Sequence, residues 1–311
     1  MLGGIDLACT LNRMYIPANK GQKLFLKVEV MPAGAATGSL PLNLCLLIDK
    51  SGPMKGKKLD NAQDGAVNLI GQLDSRDYCG VVTFESEVEV VIPGQHVTDR
   101  TLFESKIREI SAGNTTEMYE GLRAAFRELE KPLHTHYAPR KEPVRRIILL
   151  SDGQPTDRKP ESAYRALARE MRERGISVTA LGIGRDYNED LLSAIAEDSG
   201  GVWFHITSPD DILDVYSREL DDMKTVAFSQ PQLIMSVNKG VELTDIYKSG
   251  PEVHRITNIK KCNNEYRIPI RDIRTGENQT FVARVAVPPK PEGEYISLAV
   301  LRSATFFPFF L

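Results

Sequence analysis

Much of what usually announces a chemistry is missing from this sequence. Cysteine is scarce: Cys9, Cys45, Cys79 and Cys262 lie far apart and form no C-x-x-C pair, which excludes the paired spacing of a structural zinc site. Cys45, inside the apolar run LNLCLLID, and Cys79, just before GVVTF, read as small core residues of a chain kept in a reducing, cytoplasmic compartment. No apolar run is long enough to span a bilayer. The opening MLGGIDLACTLNRMYI has no basic segment leading into a continuous apolar one, so no secretion signal is read. The sequons at Asn114 (NTT) and Asn278 (NQT) are then chance matches. A basic excess is missing too. With 39 Lys and Arg against 42 Asp and Glu the formal net charge is -3, which argues against a nucleic-acid partner. The one locally basic stretch, residues 140–146 (RKEPVRR), reads as a solvated loop ahead of a buried strand.

Signatures of catalysis are equally thin. There is no G-x-S-x-G elbow and no G-x-x-x-x-G-K-[ST] phosphate loop. Gly182-Ile183-Gly184 lacks the third glycine of a dinucleotide fingerprint and reads as tight packing or a turn. His134 and His136 flank Thr135 without a third ligand nearby, so a solvated loop is the better reading. His96 and His254 stand alone, His205 reads as a sheet residue and Trp203 as core.

What is present is enough to build two domains. The chain has 311 residues, 41% of them apolar. Near the N-terminus Leu24, Leu26, Val28 and Val30 alternate with Phe25, Lys27 and Glu29 at a period of two, as a half-buried strand requires. From Leu42 the pattern changes. LNLCLLID, DYCGVVTF, RRIILLSD and ISVTALGIG are continuous apolar runs, suited to strands buried on both faces. Between them stand helical stretches, one carrying Leu59, Ala62, Ala66, Leu69, Ile70 and Leu73 on one face, another capped by Asn188 and ending at Gly200. Strands alternating with helices imply a doubly wound, mostly parallel α/β sheet. Beyond about Thr225 the helical signal stops. QLIMSV, YRIPIRD, QTFVARVAVP and YISLAVLR follow as strands, with Gly240, Gly276 and Gly293 as turn signals. The expected organisation is an α/β domain, residues 42–224, inserted in a β-sandwich built from residues 1–41 and 225–311. The tail, ATFFPFFL, is rich in phenylalanine; it docks on the core, docks on a partner, or belongs to a longer natural chain.

In an open α/β sheet, ligands bind beyond the carboxyl ends of the strands where the strand order reverses. Two such ends here carry a carboxylate: Asp49 after LNLCLLI, and Asp152 after RRIILLS. If those strands are neighbours the two acids face each other, and such a pair wants a cation or a shared proton. Ser51 and Thr116 add hydroxyls, and an all-oxygen set suits Mg2+, Mn2+ or Ca2+. Each feature also has a plainer reading: Ser51 and Thr116 as helix caps, Asp152-Gly153 as a turn.

Three stretches, Asp49-Lys50-Ser51-Gly52-Pro53-Met54, then residues 114–122 (NTTEMYEGL), then Leu149-Leu150-Ser151-Asp152-Gly153, together resemble the metal-ion-dependent adhesion site of von Willebrand factor A domains, over roughly residues 42–224. The resemblance implies that Asp49 and Ser51 match the Asp and first Ser of D-x-S-x-S, Thr116 the Thr of the second loop, and Asp152 the late Asp. It also implies that an open coordination position takes a carboxylate from a partner protein, without turnover. Pro53 departs from the pattern, because it stands where the second Ser supplies a hydroxyl. Either a water replaces that ligand in a weaker site, or the site is vestigial. Two rival functions stay open. One is a metal-independent scaffold or accessory subunit of an AAA+ ATPase-type assembly, as similar prokaryotic proteins suggest. The other is a phosphoryl-transfer hydrolase with Asp49 as nucleophile, although Ser51 stands where such enzymes carry a second Asp and a suitably placed lysine would also be needed.

Overall fold

The computed structural model describes residues 4–33, 39–131, 143–250 and 253–304. His134, His136 and the phenylalanines of the tail lie outside the described residues. The described chain opens with two strands, β1 (Ile5–Leu11) and β2 (Gln22–Pro32). An α/β stretch follows: β3 (Leu42–Asp49), α1 (Lys57–Gly71), β4 (Tyr78–Phe84), β5 (Val88–His96), α2 (Arg100–Arg108), α3 (Met118–Glu130), β6 (Val144–Ser151), α4 (Glu161–Glu173), β7 (Ile176–Ile183), α5 (Glu189–Ser199), β8 (Trp203–Ile206) and α6 (Ile212–Lys224). The chain then runs through β9 (Val226–Phe228), β10 (Gln232–Val237), β11 (Glu242–Ser249), β12 (His254–Arg255), β13 (Lys260–Cys262), β14 (Glu265–Pro269), β15 (Ile273–Arg274), β16 (Gln279–Val287) and β17 (Ala299–Ala304). Two compact units result. Among the described residues, one combines the segment up to Ala33 with the stretch from Val226 to Ala304; the other runs from Ser39 to Thr225.

In the α/β unit the sheet order is β5-β4-β3-β6-β7-β8. All pairings are parallel except β4 with β5. β3, β4, β6 and β7 are buried along their lengths apart from Arg145, which explains their continuous apolar runs: helices cover both faces. Side chains alternate between the two faces. Cys45, Leu47, Ile147, Leu149, Val178 and Ala180 pack with α3, α4 and α5 in one core cluster. The chain winds from β3 outward to β4 on one side and later returns to β6 on the other, so the strand order reverses between β3 and β6.

Helix ends follow local chemistry. The Asn188 side chain accepts the Leu191 amide at 3.0 Å, capping α5, and Gly200 closes that helix in the left-handed region at φ 82°. Gly182 owes its place to close packing, since a Cβ there would meet the Tyr187 ring at 2.3 Å. No helix among the described residues is long and apolar enough to cross a membrane.

Two sequence expectations need correction here. The stretch 140–146 does not end in a solvated loop: Arg146 lies within β6, 6% exposed, and pairs with buried Glu219 of α6. Its Nε also donates to Ser177 Oγ at 3.0 Å, and Thr179 Oγ1 donates to Glu219 at 2.7 Å. Trp203 is only partly buried, packed at the margin of the core from the short edge strand β8, because edge strands cover one face incompletely.

The other unit is all-β. One sheet has the order β1-β2-β16-β11-β12, another β13-β14-β10-β17, and β9 pairs with β15. Leu24, Leu26, Val28 and Val30 of β2 share one core with Phe281, Ala283 and Val285 of β16 and with Leu233 and Met235 of β10, so the two sheets bury a common layer. β11 shows little period-two pattern because its register slips between Leu243 and Asp245.

Candidate metal centre

β3 and β6 run parallel, with Ile48 opposite Leu150, so their carboxyl ends finish level. Asp49 and Asp152 emerge there, and both are fully buried. Ser151 joins the two strand ends: its hydroxyl donates to Asp49 Oδ2 at 2.6 Å. The other oxygen, Oδ1, accepts the Ser51 amide at 2.8 Å. Burial pushes the Asp49 carboxyl up to about 6, against the lowering effect of Ser151 and of the Ser51 hydroxyl and amide beside it, and the nearby Asp152 raises it further. Asp152 is also raised, again by burial first, with Lys58 acting in the opposite direction.

The two plainer readings of the hydroxyls do not hold. Ser51 precedes a short 3-10 turn, Gly52–Met54, but caps it with no side-chain hydrogen bond. Its hydroxyl is buried beside the Asp49 carboxyl and makes no other hydrogen bond among the described residues. α3 begins after Glu117 and likewise has no side-chain cap. Thr116 instead sits beside the strand end of β6, where a Cβ on Gly153 would lie 3.7 Å from its Oγ1. Pro53 occupies the first turn of the 3-10 segment, where a missing amide proton costs nothing. The substitution therefore removes a hydroxyl without disturbing the backbone.

The loops carrying these groups are tied to one another. The Gly52 amide donates to Asn114 O at 3.2 Å and the Gly113 amide to Lys50 O at 2.6 Å, stitching the first loop to the second. The Glu85 carboxylate accepts the Asn114 amide at 3.0 Å. The Thr116 amide donates to Thr156 Oγ1 at 3.0 Å, the Thr156 amide to Thr116 O at 3.0 Å, and the Tyr119 amide to Asp157 at 2.8 Å. The four predicted residues thus converge on one crevice. Lys58, in the first turn of α1, completes the surroundings: its ammonium donates to Asp152 Oδ2, leaving Oδ1 buried and unpartnered. Nothing in the sequence singles out Lys58, Glu85 or the 156–157 pair, and Ser151 stands out only as part of the stretch around Asp152. The only signal for Lys58 was a cation in a helix's first turn, where the macrodipole disfavours one.

A family model for the von Willebrand factor type A domain matches residues 43–218. The chain belongs to that family. Von Willebrand factor A domains generally mediate protein–protein interaction. An uncharacterized protein, sll0103, of Synechocystis sp. is 28% identical over 246 residues, 79% of this chain and 56% of that one. Inter-alpha-trypsin inhibitor heavy chain H4 of Sus scrofa is 28% identical over 204 residues, 62% of this chain and 22% of its own length. The chain therefore spans 56% or less of these relatives. Among solved structures, a von Willebrand factor type A protein from Catenulispora acidiphila superposes with a TM-score of 0.81 at 17% identity, covering 97% of this chain and 70% of that one. The ArnB paralog VWA2 from Sulfolobus acidocaldarius gives 0.60 at 18% identity, covering 98% and 75%. At those identities the likeness is one of fold.

Among the described residues no group of three or more His, Cys, Asp or Glu side chains is placed to share a metal ion. The crevice offers two carboxylates and hydroxyls instead, a hard-oxygen set that fits Mg2+, Mn2+ or Ca2+ better than a soft or nitrogen-seeking metal.

Proposed function

We propose that the crevice between β3 and β6 holds a divalent cation and that the protein uses it to bind an acidic side chain of a partner protein, without catalysis. The observation that carries this reading is Asp152 Oδ1, buried and unpartnered among the described residues, at one strand-end crevice with the buried Asp49 carboxyl and the Ser51 hydroxyl. A buried polar atom left without a partner is costly, and a cation bound in the crevice would satisfy it beside the raised carboxylate. Asp49, Ser51, Thr116 and Asp152 would supply the oxygens, with water in place of the hydroxyl lost at Pro53. The bound ion would supply a positive charge with an open position for a carboxylate. A nucleophilic role for Asp49 is disfavoured, since both its oxygens already accept hydrogen bonds and none of the residue is exposed. The two buried cysteines, Cys45 and Cys79, are free, in keeping with a reducing, cytoplasmic setting.

One observation favours a second reading, that of a metal-free scaffold or accessory subunit: Lys58 already supplies a positive charge to Asp152. Thermal unfolding separates the two. A metal that binds only the folded state raises the midpoint, by about 1.4 kcal/mol of stability at roughly ten times its Kd. Millimolar Mg2+ is expected to raise it, and Asp152→Ala to abolish the rise. An unchanged midpoint would support the scaffold, and turnover of simple phosphoesters would support the hydrolase instead. Pro53→Ser restores a hydroxyl at an exposed turn position and is expected to tighten Mg2+ binding on the order of tenfold, as other ligand-set changes do. Equal affinities by calorimetry would mean that position 53 does not face the ion.

A further inference from the structure

We propose that Lys58 is a tethered cation of the crevice, so that a divalent ion enters by displacing its ammonium from Asp152. This rests on the metal-binding reading above, because it concerns the same carboxylate. Asp152 is completely buried, yet its partner is not a neighbouring buried arginine. It is a lysine whose own side chain is 29% exposed. A lysine is a point charge on a flexible four-carbon stem, able to swing to solvent once another cation takes its place.

The placement of Lys58 is unusual for a surface charge. It stands in the first turn of α1, where the aligned peptide dipoles disfavour a cation. Its neighbour Lys57 turns outward to Asp210 at 2.7 Å, with both side chains largely exposed, as a solvated pair does. Lys58 turns the other way, into the crevice. There it answers a physical need: Asp49 and Asp152 are close enough to repel, and two buried carboxylates without a cation are strongly disfavoured. One ammonium meets only one oxygen of Asp152, which leaves Asp152 Oδ1 without a partner among the described residues. Pro53 acts in the same direction, since it weakens the metal-bound state while Lys58 steadies the metal-free one. The pair makes occupancy conditional on metal concentration instead of permanent.

The test is calorimetric titration of MnCl2 and MgCl2 into the full chain after EDTA treatment, for the wild type, Lys58→Met and Lys58→Gln. Methionine keeps the length of the side chain and loses the charge; glutamine also keeps a hydrogen-bond donor for Asp152, which guards against a folding defect. Both neutral variants are expected to bind metal more tightly by on the order of tenfold. Both should also melt lower than the wild type in EDTA and recover more on adding Mn2+. If the wild type binds metal and both variants bind with the same affinity, the tethered-cation role is overturned while the metal site stands. If only the variants bind, Lys58 is the resident cation and the wild type is a metal-free module. If none of the three binds, the metal site itself is overturned, and this inference with it.

Discussion

Arg146→Met is expected to destabilise the α/β unit by about 3–5 kcal/mol, the usual cost of removing one partner of a buried ion pair. Glu219 would remain buried on α6 with the Thr179 hydroxyl as its one remaining partner among the described residues, and Ser177 Oγ would lose the Arg146 donor. The loss comes from an uncompensated charge and not from the intrinsic worth of the pair, which desolvation largely offsets. The double variant Arg146→Met, Glu219→Leu is therefore expected to recover most of it, because two apolar chains of similar volume fill the same space between β6, β7 and α6. For a unit of this size each kcal/mol moves the melting midpoint by about 2–4 °C, so the single variant should melt roughly 10 °C lower. Chemical denaturation of both variants checks this. A single variant within 1 kcal/mol of the wild type (about the scale of an exposed pair) would mean that Arg146 and Glu219 are hydrated in solution.

That pair also marks the limit of what was legible in the sequence. The strand runs around Cys45, Cys79, Ile147 and Val178 declared themselves, because a strand covered on both faces must be apolar throughout. The same rule hid Arg146. A charge beside a basic, proline-containing stretch looks solvated, and only the tertiary approach of α6 supplies its partner. In the all-β unit, β2 and β16 were visible from strict alternation, whereas β11, with Asp245 at a bulge and polar ends, was not. At the crevice, the approach of Asp49 and Asp152 is legible because each follows an apolar run that ends a central strand, whereas Ser51 and Thr116 enter through the resemblance of their motifs. Lys58 was not, since nothing in the doublet Lys57-Lys58 says which of the two turns inward. Ser151 was quoted only as part of a motif; that its hydroxyl joins the two strand ends becomes apparent once β3 and β6 are side by side.

In EDTA the contribution of Asp49 to wild-type stability is expected to fall as pH rises from 4 to 7, and Asp49→Asn to remove it, so that the difference between the two proteins changes over that range. The sign follows from the raised carboxyl. Folded Asp49 holds its proton to about pH 6, whereas in the unfolded chain it ionises near the ordinary value of 3.8. Between those values the folded state binds more protons, so this group favours folding in acid, and that contribution is lost as pH passes upward through 6. About two pKa units correspond to roughly 3 kcal/mol at neutral pH, taken as an upper figure because relaxation and water entry soften burial. Asp152, raised in the same direction, adds to the slope without changing its sign. Asparagine fits the same contacts: its carbonyl can accept the Ser51 amide, and its amide can donate to a Ser151 hydroxyl that turns about its own bond. The variant should thus be more stable than the wild type at pH 7 without metal, yet gain nothing from Mg2+. In the wild type the metal competes with the proton, so its affinity should rise as pH passes through 6. Denaturant titrations at pH 4, 5, 6 and 7, with and without Mg2+, give all of these slopes. Parallel metal-free profiles for the two proteins would show that Asp49 ionises at its ordinary pKa in the folded chain, and that the crevice is wet enough to carry two carboxylates with the Lys58 ammonium alone.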